Sequence, residues 1–296
     1  MRYLKVLSLL LALTLSGLAY GQGATAVNVI DTGNTQGHAV VMSESTALSL
    51  GVVTGHSAVG KFGHAPSGVQ TTLTDFWVLA NATPTQQVWL APTAARIHTI
   101  ASTSVNDTTG GTGANSVRVT YLPDWDTAEA TEVVTGNLNA GLPMTNAAVM
   151  INRMEVIPQA SSTTINAGTI TATAATDTTI TAAIAIGRGQ TEQLIYGVPS
   201  THTLLVTGGS ASMNDNNAGT RVDVEFLANT SPDVNTTVFT LKSSFHIQNY
   251  GASALVMPIN PPYVFNGPCI VKVSGIANTA DVDASATLSG ILVENY

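Results

Sequence analysis

Short apolar runs separated by turn-forming residues follow one another along most of the chain. In Arg221–Leu227, the apolar residues Val222, Val224 and Phe226 alternate with charged ones. Alternation with a period of two is typical of a strand with one buried and one solvated face. Further short runs cover residues 76–79, 88–90, 96–100, 117–122, 132–134, 148–157, 203–207, 238–242, 244–247, 254–257, 269–274 and 287–293. The pattern predicts an all-β protein built as sandwiches.

The spacing of these runs predicts two tandem β-sandwich domains of jelly-roll-like form. We expect the first at residues 61–187 and the second at 188–296, with the glycine-rich turn Gly187–Gln190 between them. Residues 260–268 carry three prolines, which predicts a crossing between strands because proline cannot occupy a central ladder.

The N-terminus has the pattern of a secretory signal. Arg2 and Lys5 precede the apolar run 6–15, and Ala19 and Gly21 are small residues at the positions that a signal peptidase recognises. Residues 1–21 are therefore expected to be removed near Gly21. The run is short for a bilayer span, and no later stretch is long enough, so we expect no stable membrane span in the mature chain.

Residues 22–60 contain few strong elements. Residues 24–31 could form a strand, whereas residues 51–60 are interrupted by glycine and would pack poorly alone. We interpret residues 22–60 as an arm that docks on another surface, such as a neighbouring subunit.

Composition narrows the classes of partner. The chain has 296 residues, of which 44% are hydrophobic and only 9% are charged, with a net charge of −8. Binding to phosphate backbones depends on clustered lysine and arginine, and the ten such residues are scattered. Nucleic acid is therefore an unexpected partner. The single cysteine, Cys269, excludes an internal disulfide and is predicted to be buried in a strand.

The densest acidic group is Asp124-Trp125-Asp126. Glycoside hydrolysis uses two carboxylates facing each other across a cleft, which a surface turn does not supply. We interpret the group as a solvated turn with Trp125 packed against a sheet. The alternative is a weak binding surface in which Trp125 stacks on a sugar.

No cofactor, metal or catalytic site is predicted. His38, His56 and His64 share a glycine-rich region, but they lack the spacing of a known metal motif. The run Asn214–Gly219 is rich in oxygen ligands and lacks the glutamate that completes a calcium loop. No pattern of a serine nucleophile with its partners stands out.

A series of short motifs resembles a known family. The motifs are Lys61-Phe62-Gly63, Asp75-Phe76-Trp77, Ser102 to Ala114, Glu132 to Asn137, Ile151-Asn152-Arg153, Asn166 to Ile170, Gly187 to Thr191 and Tyr196 to Pro199. Their order is similar to that in uncharacterised virion structural proteins of tailed bacteriophages, especially marine ones. The resemblance covers residues 61–296 and implies membership of a virion, with no catalytic residues to carry over.

Two hypotheses of function follow. The first is a non-enzymatic virion subunit, in the head decoration, neck or tail, that contacts other virion proteins and copies of itself, with a trimer as one form. The second is a secreted or cell-surface module that binds a glycan or a surface protein, and it is drawn from residues 1–21 and from a binding face lined by Trp77, Trp89, Trp125 and Tyr263. The first places the chain in the virion, and the second places it outside the cell.

Overall fold

The chain folds into antiparallel β-sheets, which confirms the all-β prediction. The computed structural model describes residues 28–30, 40–42, 47–48, 51, 53–79, 86–158, 165–215, 219–249 and 254–295. The strands are β1 (Asn28–Ile30), β2 (Val40–Met42), β3 (His56–Val69), β4 (Thr74–Asp75), β5 (His98–Ser102), β6 (Ser116–Leu122), β7 (Ala130–Thr135), β8 (Leu142–Pro143), β9 (Met150–Val156), β10 (Ile170–Ala174), β11 (Ile180–Ile184), β12 (Ile195–Val198), β13 (His202–Asn214), β14 (Arg221–Asn229), β15 (Thr240–Gln248), β16 (Ala254–Asn266), β17 (Cys269–Ala277) and β18 (Val282–Glu294). A 3-10 turn spans Leu138–Ala140.

The chain divides into two compact units, residues 1–58 and residues 59–296. In the first unit, β1 pairs antiparallel with β2, from Asn28 opposite Met42 to Ile30 opposite Val40. The predicted signal segment 1–21, and most of the predicted arm, lie outside the described residues. Within the described part of the chain, no helix combines the length and the apolar character needed to cross a bilayer.

The first hydrophobic core of the larger unit lies between two sheets. One sheet has the strand order β11-β10-β5-β8 and the other has the order β7-β6-β9. Ile100 and Ile170 come from the first sheet, and Val119 and Met154 come from the second, and all are buried in one cluster. Alternate residues of β10 face this core, which is the period-two burial of a strand with one buried face.

The second core lies between two larger sheets, which we call the C-terminal sheet pair. Their strand orders are β12-β17-β14-β15, with β4 beside β17, and β16-β13-β18-β3. The core includes the fully buried Phe76 and Trp77. Around Phe226, the ring of Tyr263 stacks at a centroid distance of 5.9 Å and that of Phe265 meets it edge-on at 5.5 Å.

Two strands that precede the first core in sequence belong to the C-terminal sheet pair. Strand β3 lies beside β18, and Thr74 and Asp75 of β4 pair with Gly275 and Ser274 of β17. A Cβ at Gly63 would lie 2.2 Å from the carbonyl oxygen of Phe76, so only glycine permits this approach of β3. The predicted boundaries at 61–187 and 188–296 remain a prediction, and these pairings connect one range to the other.

Three local expectations need correction. Residues 260–266, predicted as a crossing, continue β16, because β16 is an edge strand and an edge tolerates proline. Residues 76–79 form a bridge and a turn instead of a strand, and residues 88–90 are irregular. Short apolar runs of this kind indicate burial without fixing the backbone conformation.

Candidate functional site

A polar cluster lies where the first core meets the C-terminal sheet pair, with the buried Asn152 of β9 at its centre. The Asn152 Nδ2 group donates to the Gly197 carbonyl oxygen at 3.0 Å, and Asn152 Oδ1 accepts from the Gly197 N–H at 2.8 Å. The side-chain amide thus pairs with β12 as a backbone peptide would. A Cβ at Gly197 would lie 2.7 Å from Met150 Cγ, so glycine is required for this approach.

Two charged residues join Asn152. The Lys61 ammonium donates to the Asn152 carbonyl oxygen at 2.5 Å, and Asn152 Nδ2 also donates to Glu129 Oε1 at 2.5 Å. Glu129 as a whole is exposed, but its carboxylate makes this bond in a part-buried setting. We call Lys61, Glu129, Asn152, Tyr196 and Gly197 the junction cluster. It connects β3, β9 and β12 with the segment that precedes β7.

Burial perturbs the titratable groups of this cluster. It lowers the pKa of Lys61 to about 7, against the opposing charge of Glu129. It raises the pKa of Glu129, which the Asn152 hydrogen bond and the Lys61 charge oppose. It also raises the pKa of Tyr196 well above its usual value, and the nearby Glu129 acts in the same direction.

Such perturbed groups are found both in active sites and in structural networks. Here Lys61 and Asn152 form hydrogen bonds with backbone groups and with Glu129, so the cluster connects neighbouring strands. A cavity of about 100 Å³ beside it is lined by Lys61, Arg153 and Gln190, among others. Arg153 Nη2 donates to Gln190 Oε1 at 2.8 Å. The guanidinium group of Arg153, one of the basic groups that line this cavity, is therefore hydrogen-bonded within the protein.

A second polar network is built around the fully buried Asp107. Asp107 Oδ1 accepts from the N–H groups of Ala114 at 2.7 Å and Ala167 at 2.8 Å. Asp107 Oδ2 accepts from the Gly168 N–H at 2.9 Å and the Ser102 hydroxyl at 2.5 Å. The carboxylate holds the loop 102–114 against residues 166–168. Two motifs of the family resemblance therefore meet at one side chain.

A third network surrounds a buried ion pair. Lys272 Nζ lies 2.8 Å from Asp75 Oδ2, with side-chain exposures of 2% and 0%. The same carboxylate accepts from the Trp89 N–H at 2.7 Å and from the Ser274 hydroxyl at 2.5 Å. Lys272 Nζ also lies 4.4 Å from the centroid of the Phe239 ring, a cation–π distance. The network connects Asp75 and Trp89 to β17.

The predicted binding candidates Asp124, Trp125 and Asp126 lie in a turn. Asp124 Oδ1 accepts from the Asp126 N–H at 2.8 Å, and its other oxygen accepts from the Thr127 hydroxyl at 2.9 Å. The Thr127 hydrogen bond is the main cause of a lowered Asp124 pKa. Trp125 is partly buried against the second core, and its carbonyl oxygen accepts from the Ser200 N–H at 2.7 Å. The geometry is that of a hydrogen-bonded turn, and its use in binding remains a prediction.

The remaining candidates are accounted for one by one. In the described ranges, no three histidine, cysteine, aspartate or glutamate side chains are grouped to hold a metal ion. His64 and His56 lie in β3, where His64 Nε2 pairs with Asp283 Oδ1 at 2.8 Å. His38 and residues 216–218 lie outside the described residues. Cys269 is buried in β17, and burial raises its thiol pKa to about 12.

Exposed apolar side chains concentrate on one side of the C-terminal sheet pair. Half of the large hydrophobic residues found exposed in the described chain fall within residues 234–264. They are Val234 (83%), Val238 (56%), Leu241 (54%), Leu255 (36%), Val256 (76%) and Val264 (61%). Strands β15 and β16, which carry four of them, are the edge strands of the two sheets on this side. We call this the edge surface.

Sequence reasoning missed the buried networks. Asp107 and Asn152 lie within motifs of the family resemblance, but a sequence motif does not reveal which of its side chains is buried. A clearer signal was available at Lys272, which interrupts the otherwise apolar run Cys269 to Val273. A lone charge in a run that does not alternate indicates a buried, paired side chain.

Comparison with known proteins does not assign this chain to a family. No family model matches the chain, and no curated protein matches it. The crystal structure of the infectious bursal disease virus VP2 subviral particle aligns with 81% of this chain and 72% of that one, at 10% identity and a TM-score of 0.20. The structure of infectious bursal disease virus Gt strain aligns with 81% and 73%, at 11% identity and a TM-score of 0.23. Likeness at these scores carries no argument about fold or function.

Proposed function

We propose that this chain is a structural subunit of a tailed-phage virion that acts through contacts with other subunits and not by catalysis. The observation that carries the proposal is the edge surface, where exposed valine and leucine line two edge strands. Unpaired strand edges are templates for pairing with another chain, and exposed apolar side chains on such edges gain free energy when a partner covers them. The edge surface is suited to a subunit interface.

The three polar networks support the same proposal. Each one fastens segments that are distant in sequence: Asp75 to β17, Asp107 to residues 166–168, and Asn152 to β12. Satisfied buried networks make a fold rigid and specific, which suits a building block. On this proposal, the motifs that contain Asp75, Asp107 and Asn152 stabilise the fold of the subunit.

The proposal also covers the form of the domains, the position in the particle and the partners. We propose two tandem jelly-roll-like sandwiches, a position in the head decoration, neck or tail, and partners that include other virion proteins and copies of this chain. A closed oligomer, with a trimer as one form, would cover the edge strands. The order of the motifs and their resemblance to virion proteins support the phage assignment.

Quantitative mass spectrometry of purified phage particles tests the proposal. We expect many copies per particle, with peptides from the whole range 61–296. The N-terminal peptide shows in the same experiment whether residues 1–21 are removed. Absence from purified particles, together with a chain that begins at Gln22 in the culture medium, would contradict the proposal and favour the secreted binding module.

A further inference from the structure

A groove runs between the two edge strands of the C-terminal sheet pair. Over the described residues, β15 pairs only with β14, and β16 pairs only with β13. Between them lie a cavity of about 420 Å³, walled by residues 243–245 and 257–263, and one of about 540 Å³ near Lys242 and Val264. We call this the edge groove. Phe245, Ile259 and Tyr263, which pack against the second core, line its walls.

The two sides of the edge groove differ in what they can pair with. Strand β16 contains Pro258, Pro261 and Pro262, which have no N–H to donate to a further strand. Strand β15 runs for nine residues, Thr240–Gln248, without a proline. An added strand can therefore form a ladder with β15, while its alternate side chains enter the groove.

The same chain contains a strand that is incomplete by itself. Strands β1 and β2 form a two-stranded sheet with only three residues in each strand. Such a small sheet is not stable alone in water and gains stability by joining a larger one. Among the residues that the structure describes, β1 pairs with β2 on one edge and with no strand on the other.

We propose that β1 of one copy adds to β15 in the edge groove of a second copy. This inference rests on the proposed function and names the contact through which subunits join. The chain enters the larger unit through β3, and β3 and β16 are the opposite edges of one sheet. Three strand spacings, about 14 Å, separate these edges. Strand β3, through which the chain enters, is therefore not the strand that borders the groove.

This placement gives a head-to-tail contact. The chain between β2 and β3 comprises 13 residues, 43–55, whose fully extended length of roughly 45 Å sets the reach of the small sheet. A contact between unlike surfaces of identical copies repeats from copy to copy and forms a ring when its rotation closes. Each groove in the ring receives the arm of the preceding copy.

Sedimentation of the full chain and three variants tests the contact. Val264→Glu places a charge in the groove, and Val29→Pro disrupts β1. Val133→Glu is the matched control, because Val133 is 51% exposed and Val264 is 61% exposed, and Val133 lies on β7 beside the first core. We expect an oligomer for the native chain and Val133→Glu, and at least about tenfold weaker association for the other two, since a charge in place of an apolar side chain, or a lost strand, removes interface energy. Unchanged far-UV circular dichroism shows that each variant is folded.

Disulfide trapping identifies the strand that occupies the groove. Two differently tagged chains, one with Val29→Cys and one with Ser244→Cys, are mixed and oxidised. Ser244 is exposed on β15, and the native Cys269 is buried. We expect a bond between the two tagged chains. Cross-linking within one chain that carries both substitutions, with none between chains, would overturn the proposal.

Other outcomes separate this inference from the proposed function. If Val264→Glu and Val29→Pro assemble like the native chain, the inference is wrong, and presence in particles still decides the function. A native chain that remains a monomer at every concentration, yet is abundant in particles, also overturns the inference alone. Absence from particles removes the proposed function and leaves the self-contact to be judged by sedimentation.

Discussion

Replacing Asp107 with asparagine should destabilise the first core strongly without removing any volume. The Asp107 carboxylate accepts two hydrogen bonds on each oxygen, from Ala114 and Ala167 on one and from Gly168 and Ser102 on the other. An asparagine amide must point its NH₂ group at one of these pairs of donors. The NH₂ group costs least when it faces Ser102, whose hydroxyl can rotate to accept, so that the Gly168 N–H loses its acceptor at about 1–3 kcal/mol and the remaining bonds lose their charge. We expect a loss of about 3 kcal/mol in unfolding free energy.

Asp124→Asn is the matched control. Asp124 also accepts a backbone N–H in a turn, but it is exposed, so a change within about 0.5 kcal/mol is expected. Unfolding in guanidinium is followed by far-UV circular dichroism for the whole fold. Tryptophan fluorescence reports on the second core, because Trp77 and Trp89 are buried there and Trp125 packs against it. An Asp107→Asn protein within 1 kcal/mol of the native chain would refute the role given to this carboxylate.

Three further predictions concern other buried groups. Lys272→Met should cost about 3–5 kcal/mol by leaving Asp75 without its cation, and the double variant Asp75→Asn with Lys272→Met, whose amide oxygen can still accept from the Trp89 N–H, should recover part of that loss in a double-mutant cycle; equal losses in the single and double variants would contradict the pairing. His98 is buried, and burial lowers its pKa to about 4 from the usual 6.5, so the unfolded chain takes up the proton first and stability should fall as the pH drops from about 6.5 to about 4. The expected loss in unfolding free energy is about 3 kcal/mol. In a His98→Gln protein, the unfolding free energy measured from pH 7 to pH 4 should lack that part of the pH dependence. An unchanged pH dependence would contradict the role given to His98. Cys269 should resist a thiol reagent such as DTNB in the native protein at pH 8 and react fully in guanidinium, since burial raises its pKa to about 12; rapid native labelling would show that β17 opens.

The strand content was predictable where one face of a strand is buried. Alternation in Arg221–Leu227 places Val222, Val224 and Phe226 inward, and β14 buries all three. The turn at Gly187–Gln190 was also predictable, because Gly187 and Gly189 have positive φ values of 71° and 73°, where glycine is favoured. Local chemistry decides both features.

Pairing between distant segments was not predictable. Nothing in residues 56–75 indicates that β3 and β4 join β18 and β17, since register depends on contacts across some two hundred residues. The prolines of residues 260–268 were taken to exclude a central strand, but they do not exclude an edge strand, and residues 260–266 continue the edge strand β16. The edge surface and the junction cluster depend on this long-range pairing, so both required the structure.

The most direct test of the account is a competition for incorporation into particles. Differently tagged Val264→Glu and Val133→Glu chains are each produced together with the native chain during phage growth, and the ratio of variant to native chain in purified particles is measured by mass spectrometry. If subunit contact through the edge surface is what this protein does, Val133→Glu should enter particles like the native chain and Val264→Glu should be depleted at least about tenfold. Equal incorporation of both variants would contradict the claim that the edge surface is the assembly interface.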